Sequence, residues 1–138
     1  MNTIFVDTSA WIAVMDVREG NHSRAKEFYL ELLKSRMRIV TSNYVLAESY
    51  TRIRYDKGYR ETLAFHTMVA NAEKLGHLKI LWVDHAVADA AWEILEKYSN
   101  QTFSFTDCTS FALLRENKVD EVFAFDDDFR LMGFAVRP

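Results

Sequence analysis

Short apolar runs alternate along this chain with longer segments in which apolar residues recur every three or four positions. The short runs are rich in β-branched and aromatic residues, which is typical of strands. The predicted strands are residues 3–6, 38–41, 78–83, 122–125 and 134–136. Because helical segments separate them, we expect a mostly parallel sheet of about four to five strands with right-handed crossovers, flanked by helices in a three-layer α/β domain.

The helical segments are expected to begin at polar capping residues. Thr8 or Ser9 would cap a short first helix over residues 11–15, and Asn21 would cap the second. Ser42 or Asn43 would begin the third helix. Further helices are predicted from Gly58 to about Leu75, after Asp84, and from Ser104 to Asn117.

Large apolar residues on the periodic faces of these segments are candidates for the core. We expect Trp11, Trp82 and Trp92 to be buried, and Leu63 to lie on the apolar side of the helix that follows Gly58.

Two acidic residues each end an apolar strand. Asp7 follows the first strand and Asp126 follows the fourth. In open parallel sheets ligands bind beyond the carboxyl ends of the strands, so we expect both side chains at that edge. Thr8 and Ser9 can cap the first helix, which would leave Asp7 free, although Asp7 is itself a good cap.

Two further acids are predicted at this edge from helices. Glu48 lies inside the third helix, where an ion pair with Arg52 is the alternative role. Asp107 lies at a helix N-terminus, where the dipole stabilises an anion, although Ser104 and Thr106 also compete for the cap. Acids gathered in one place cannot all remain ionised without positive charge among them. A hard divalent cation with oxygen ligands would supply it.

Other polar residues near these acids are weaker candidates. Asp128 is better placed than Asp127 for an outer-sphere role beside Asp126. Arg52 and Arg130 are candidate phosphate contacts, and a solvated charged surface is the alternative for each.

Composition narrows the class of protein. With 138 residues and 49% hydrophobic content, the chain can bury a core, and we expect one domain over residues 1–138. The single cysteine, Cys108, is expected as a buried thiol in a reducing compartment. No leader or membrane-length apolar run is evident, so we expect a cytoplasmic location. The net charge of −3 argues against a broad basic surface but permits a local one.

With the acids placed, the chain resembles a PIN domain and, within that family, the VapC toxins of bacterial and archaeal toxin–antitoxin pairs. The matching motifs are VDTSAW at residues 6–11, TSNYVLAE at 41–48, SFTDC at 104–108 and FDDDF at 125–129. Each motif is short, and it is the ordered set over nearly the whole chain that is specific.

The resemblance implies a Rossmann-like sheet and a nuclease, often dimeric, that cuts single-stranded RNA with Mg²⁺ or Mn²⁺. The family's catalytic and metal-binding quartet corresponds to Asp7, Glu48, Asp107 and Asp126. Its small hydroxyl residue corresponds to Thr106, with Thr8 or Ser9 near Asp7. The implied partners are an RNA substrate, an antitoxin protein and a second copy of the chain.

Three alternative functions remain open at this point. A PIN nuclease acting in RNA processing would use the same residues. A catalytically silent RNA- or protein-binding module would ordinarily lack one of the four acids. A phosphatase of the haloacid dehalogenase type would need a second Asp two residues after the first, where this chain has Ser9.

Overall fold

The computed structural model describes residues 2–138 and contains one sheet of five strands. The strands are Thr3–Val6 (β1), Arg38–Ser42 (β2), Leu78–Leu81 (β3), Glu121–Phe123 (β4) and Ala135–Arg137 (β5). Their spatial order is β3-β2-β1-β4-β5, and all four neighbouring pairs are parallel. The predicted parallel α/β sheet is therefore confirmed.

Seven helices connect the strands within the described residues. They are Thr8–Met15 (α1), His22–Lys34 (α2), Asn43–Lys57 (α3), Tyr59–Lys74 (α4), His85–Lys97 (α5), Phe105–Glu116 (α6) and Asp128–Leu131 (α7). The strand order runs outward from β1 to β3 and then returns to β4 on the other side of β1. Right-handed crossovers then put α1–α4 on one face and α5–α7 on the other. The carboxyl ends of β1 and β4 form the switch point, where ligands bind in such sheets.

The register of β1 and β4 aligns the two strand ends. Val6 pairs with Phe123, and the next amide, that of Asp7, donates to the Phe123 carbonyl at 3.0 Å. Strand β4 ends at Phe123 rather than at Phe125 as predicted. The chain leaves β1 there, because the Phe125 amide donates to Ser9 Oγ at 3.0 Å instead of to the strand.

A buried indole ties α1 to the centre of the sheet. Trp11 is fully buried, as predicted, and contacts Tyr29 and Phe65 edge-on at 5.5 Å between ring centroids. Its Nε1 donates to Thr41 Oγ1 at 3.1 Å, and Thr41 Oγ1 donates to the Val6 carbonyl at 2.8 Å. This short chain satisfies three polar groups inside the core.

Three predicted core residues are instead exposed. Trp82 is 67% exposed, Trp92 54% and Leu63 48%. Trp82 lies beyond the end of β3, an edge strand of the sheet. In α5 and α4 the buried positions fall on neighbouring residues, and they are Val87, Ala91, Ile94, Phe65, Val69 and Ala72.

Helix caps follow the sequence only in part. Ser42, Asp84 and Ser104 cap their helices through side-chain hydrogen bonds, as the pattern predicts. Asn21 precedes α2 but makes no such bond. The prediction for α1 is wrong, since Asp7 and not Thr8 or Ser9 is its cap. No helix within residues 2–138 has the length and apolar character needed to span a membrane.

Candidate active site

Asp7 occupies the end of β1 and the start of α1 at the same time. It is 3% exposed, and its Oδ2 accepts from the Ser9 amide at 3.3 Å and from Ser9 Oγ at 3.0 Å. Asp7 therefore caps α1 while it lies at the switch point of the sheet, contrary to the expectation that Asp7 is left free.

Asp126 lies on the loop that follows β4. Its Oδ1 accepts from the Asp128 amide at 3.2 Å. The preceding residue, Phe125, donates its amide to Ser9 Oγ, the same hydroxyl that donates to Asp7. Ser9 thus holds the two strand ends together. The sequence predicts Ser9 only as a cap or as a hydroxyl near Asp7, and it does not predict this bridge.

Asp107 is fixed in the first turn of α6 by a capping box. Its amide donates to Ser104 Oγ at 3.0 Å, and the Ser104 amide donates to Asp107 Oδ2 at 3.0 Å. The reciprocal bonds hold the carboxylate in one orientation at the positive end of the helix dipole. Ser104 is therefore the cap, and Asp107 supports it from the N3 position.

The carboxylates act on one another's ionisation. Burial raises the pKa of Asp7 to about 8, with further contributions from the charges of Asp126 and Asp107. Burial also raises the pKa of Asp107, helped by the charge of Glu48. The pKa of Asp126 is raised by burial and by Asp107, while a hydrogen bond from Asp7 opposes the rise. Four predicted site residues from four separate segments therefore lie close enough to interact electrostatically.

The supporting residues lie near this cluster in different ways. Thr8 is 2% exposed, and within residues 2–138 its Oγ1 has no hydrogen-bond partner. The Thr106 carbonyl accepts from Thr109 Oγ1 at 2.6 Å, and Thr106 lines a surface cavity with Glu48. Burial and the charge of Asp107 raise the pKa of Asp128, so this carboxylate is also close to the cluster.

The two candidate arginines differ in their surroundings. Arg130 Nη1 lies 3.1 Å from Asp127 Oδ1, so its charge is already paired. In the part of the chain that the structure describes, Arg52 forms no ion pair, not even with Glu48 one turn earlier. The expected alternative for Glu48, a pair with Arg52, is therefore wrong.

The donor chemistry of the cluster fits a hard divalent cation. Carboxylate oxygens are the ligands that Mg²⁺ and Mn²⁺ prefer, and a cation would relieve the repulsion among Asp7, Asp107 and Asp126. Thr8, whose hydroxyl has no hydrogen-bond partner within residues 2–138, directly follows Asp7 in the chain. As they stand, however, no three Asp, Glu, His or Cys side chains within residues 2–138 are arranged to hold a metal ion.

Two cavities lie at opposite edges of the sheet. One of about 350 Å³ is lined by Glu48 and Thr106 and adjoins the acidic cluster. A larger one of about 510 Å³ includes Thr3, Arg38 and Leu78, at the amino ends of β1, β2 and β3. The larger cavity is lined by no carboxylate and lies away from the switch point. The candidate active site is therefore the acidic cluster beside the smaller cavity, at the carboxyl ends of the strands.

Comparison with known proteins gives the family. The model of the PIN domain family matches residues 4–135. A protein of Mycobacterium tuberculosis, known in strains CDC 1551 / Oshkosh and H37Rv as the 23S rRNA-specific endonuclease VapC20, is 36% identical over 139 residues. The match covers 98% of this chain and 98% of the relative.

Solved structures extend the similarity to the fold. The crystal structure of M. tuberculosis VapC20, a sarcin-ricin loop cleaving toxin, matches with a TM-score of 0.85 and 33% identity. The match covers 98% of this chain and 99% of that one. VapBC2 from Rickettsia felis, bound to a DNA fragment from its promoter, shares the fold with a TM-score of 0.69 at 14% identity, over 98% and 97% of the two chains. The chain therefore belongs to the PIN domain family, and within it to the VapC-type proteins.

Proposed function

We propose that this protein is a metal-dependent endoribonuclease that hydrolyses phosphodiester bonds in single-stranded RNA, as the toxin of a VapBC-type toxin–antitoxin pair. The observation that carries the proposal is the mutual influence of Asp7, Asp107 and Asp126, with Glu48, beside the switch point of the sheet. Membership of the VapC-type proteins supports the same activity.

In this proposal the four carboxylates are the ligands of Mg²⁺ or Mn²⁺. Held among them, a cation would supply positive charge for the phosphate and would lower the pKa of the attacking water. One carboxylate of the quartet orients that water as general base. Ser9 and Ser104 keep Asp7 and Asp107 in place through hydrogen bonds of 3.0 Å.

We propose ribosomal RNA as the substrate class. The support is the similar protein of M. tuberculosis, whose name describes a 23S rRNA-specific endonuclease and which aligns over 98% of this chain. An RNA presented as an unpaired loop suits an open cavity beside the acids better than a duplex does, because unpaired bases can be splayed out and stacked.

The partners of the protein also belong to the proposal. We propose an antitoxin protein encoded with this chain, a homodimer and a cytoplasmic location, on the strength of the VapC-type family membership. The exposed Trp92 on α5 offers apolar area for a dimer contact. Light scattering of Trp92→Glu beside the unaltered protein tests this: a dimer that becomes a monomer supports the contact, and an unchanged mass contradicts it.

Cleavage of ribosomal RNA by the purified protein tests the central proposal. Cutting is expected with Mg²⁺ or Mn²⁺, and it should be absent with EDTA and in Asp107→Asn. Glu93→Gln is a matched control, since this exposed acid on α5 lies outside the cluster. Cutting by Asp107→Asn at the normal rate would overturn the assignment of the site.

The same experiment separates the alternative functions. A silent binding module predicts neither cutting nor Mn²⁺ binding in calorimetry. A nuclease of RNA processing predicts cutting of a different RNA with the same metal dependence. No observation favours the phosphatase, because Ser9 occupies the position of its second Asp and is engaged with both Asp7 and Phe125.

A further inference from the structure

Helix α3 presents two faces, and only one of them belongs to the core. Its buried positions are Val45, Leu46, Ser49 and Ile53. A second stripe at spacings of three and four residues lies half-buried or exposed and, together with Thr106, lines the cavity of about 350 Å³; its members are Tyr44, Ala47, Glu48, Thr51 and Arg52. Tyr44 also packs against the border of the core, but core packing does not account for the other members of the stripe.

Tyr44 offers an ordered aromatic surface in this cavity. It lies in the first turn of α3 and is half-buried. Its ring packs against Phe105, the first residue of α6, at 6.3 Å between centroids and a tilt of 57°. A ring held in this way loses little further freedom when a base stacks on it, which makes it a suitable platform for an unpaired base.

Arg52 offers positive charge on the same stripe. It is exposed, lies two helical turns from Tyr44, and has no ion pair within residues 2–138. Arg18, Arg130 and Arg137 are each paired with an acid, whereas Arg54, on the same helix, also has no ion pair among the described residues. Arg52 differs from Arg54 because it lines the cavity. The planar guanidinium binds phosphate through two parallel hydrogen bonds. An arginine kept free beside an acidic cluster is therefore suited to hold a polyanion there.

The cavity adjoins the acids directly. Glu48 belongs both to its lining and to the electrostatic cluster, and Thr106 precedes Asp107. Its volume falls at the lower end of the range of roughly 300–1,000 Å³ that is typical of small-ligand sites. One nucleotide bound there would lie beside the phosphodiester that reaches the carboxylates.

We propose that this cavity is a nucleotide subsite for single-stranded RNA, in which Tyr44 stacks on an unpaired base and Arg52 binds a phosphate of the same strand. The subsite rests on the proposed nuclease function, since it orients the strand that the carboxylates would cut. Tyr44 and Arg52 are positioned to bind substrate, and the cleavage step itself stays with the acids.

Binding by a cleavage-deficient protein tests the subsite separately from catalysis. The full chain carrying Asp107→Asn is titrated with a fluorescently labelled single-stranded RNA oligonucleotide in Mg²⁺ buffer, and Kd is measured by anisotropy. Adding Tyr44→Ala should raise Kd about 5- to 150-fold, the range for loss of one stacked base, while Tyr44→Phe should retain the affinity. Arg52→Ala should raise Kd and make binding less dependent on salt.

Helix α3 supplies the matched controls. Tyr55 is 83% exposed and lies outside the cavity, as does the exposed Arg54. Tyr55→Ala and Arg54→Ala should leave Kd within about twofold of the parent, well inside the effect of losing one stacked base. Circular dichroism and thermal melting establish that every variant is folded before binding is compared.

The outcomes distinguish failure of the proposed subsite from failure of the proposed nuclease function. If Tyr44→Ala binds RNA as tightly as Tyr55→Ala, the subsite is wrong even where the unaltered protein cuts RNA. If the unaltered protein neither binds nor cuts RNA, the nuclease proposal fails and the subsite with it. In active protein, Tyr44→Ala should raise KM more than it lowers kcat, and the reverse would contradict a binding role.

Discussion

Ser9 Oγ accepts a hydrogen bond from the Phe125 amide at 3.0 Å, across 116 positions of the chain. The same hydroxyl donates to Asp7 Oδ2. One small side chain therefore joins the ends of β1 and β4 and fixes the loop that carries Asp126 relative to Asp7. The two carboxylates owe their proximity to this bridge as well as to the pairing of the strands.

Ser9→Ala should separate positioning from ligation. Loss of both hydrogen bonds should cost about 1–2 kcal/mol of unfolding free energy and lower RNA cleavage about 10- to 100-fold, as is typical for residues that orient metal ligands. Urea unfolding and cleavage rates measure the two effects. Ser23→Ala, at an exposed position of α2, should change neither. Full cleavage by Ser9→Ala would contradict the positioning role.

Asp7→Asn should stabilise the metal-free protein while it abolishes cleavage. Burial raises the pKa of Asp7 from 3.8 to about 8, so the folded state binds a proton that the unfolded state releases. The stability contributed by this proton is present below the unfolded pKa and is lost as the pH rises toward the folded one. Asparagine stays neutral and still accepts hydrogen bonds as a cap.

Thermal melting in EDTA at several pH values tests whether the stability of the metal-free protein falls as the pH rises. The melting temperature of the unaltered protein should fall between about pH 5 and pH 8 relative to that of Asp7→Asn. Parallel pH profiles for the two proteins would show that Asp7 is ionised in the folded metal-free state.

Binding of Mn²⁺ should release protons and weaken as the pH falls. The raised pKa values of Asp7, Asp107 and Asp126 mean that a cation competes with protons for these oxygens. Calorimetry in two buffers with different ionisation enthalpies counts the protons released. A heat of binding that is independent of the buffer would contradict the competition.

Thr41→Val should destabilise the fold through two orphaned groups. Thr41 is fully buried, accepts from Trp11 Nε1 and donates to the Val6 carbonyl. Valine has a similar shape but no hydroxyl, so each abandoned polar group should cost about 1–3 kcal/mol. The urea midpoint measures the loss, and Thr67→Val at an exposed position of α4 is the control. Equal midpoints for the two variants would contradict the importance of this chain of hydrogen bonds.

The local pattern of apolar residues predicts the strands well where both faces of a strand are buried. Apolar runs such as Ile4 to Val6 are covered on both faces, so their composition alone indicates a central parallel strand. The pattern wrongly predicts burial for Trp82 and Trp92. Their exposure depends on whether another part of the protein packs against the edge of the sheet and the outer face of α5. Local periodicity holds no information on that point.

The site divides in the same way. The acids that follow strands, Asp7 and Asp126, could be predicted because parallel strands end at one edge. The bridge through Ser9 could not, since its partner lies 116 positions away. Nor could the contact of Tyr44 with Phe105, which brings two helix N-termini together across 61 positions of sequence. Spacing in sequence reveals periodic neighbours but not such distant pairs.

The central pairing of β1 with β4 has a consequence for the order of events during synthesis. The side of β1 that pairs with β4 stays unpaired until Phe123, the partner of Val6, has been synthesised. A ribosome that has released the chain only as far as α6 therefore carries three strands, an open edge and no Asp126. On the proposed function, the nascent protein therefore lacks a complete active site. The site can form only when β4 and Asp126 have been synthesised, after most of the chain has been translated.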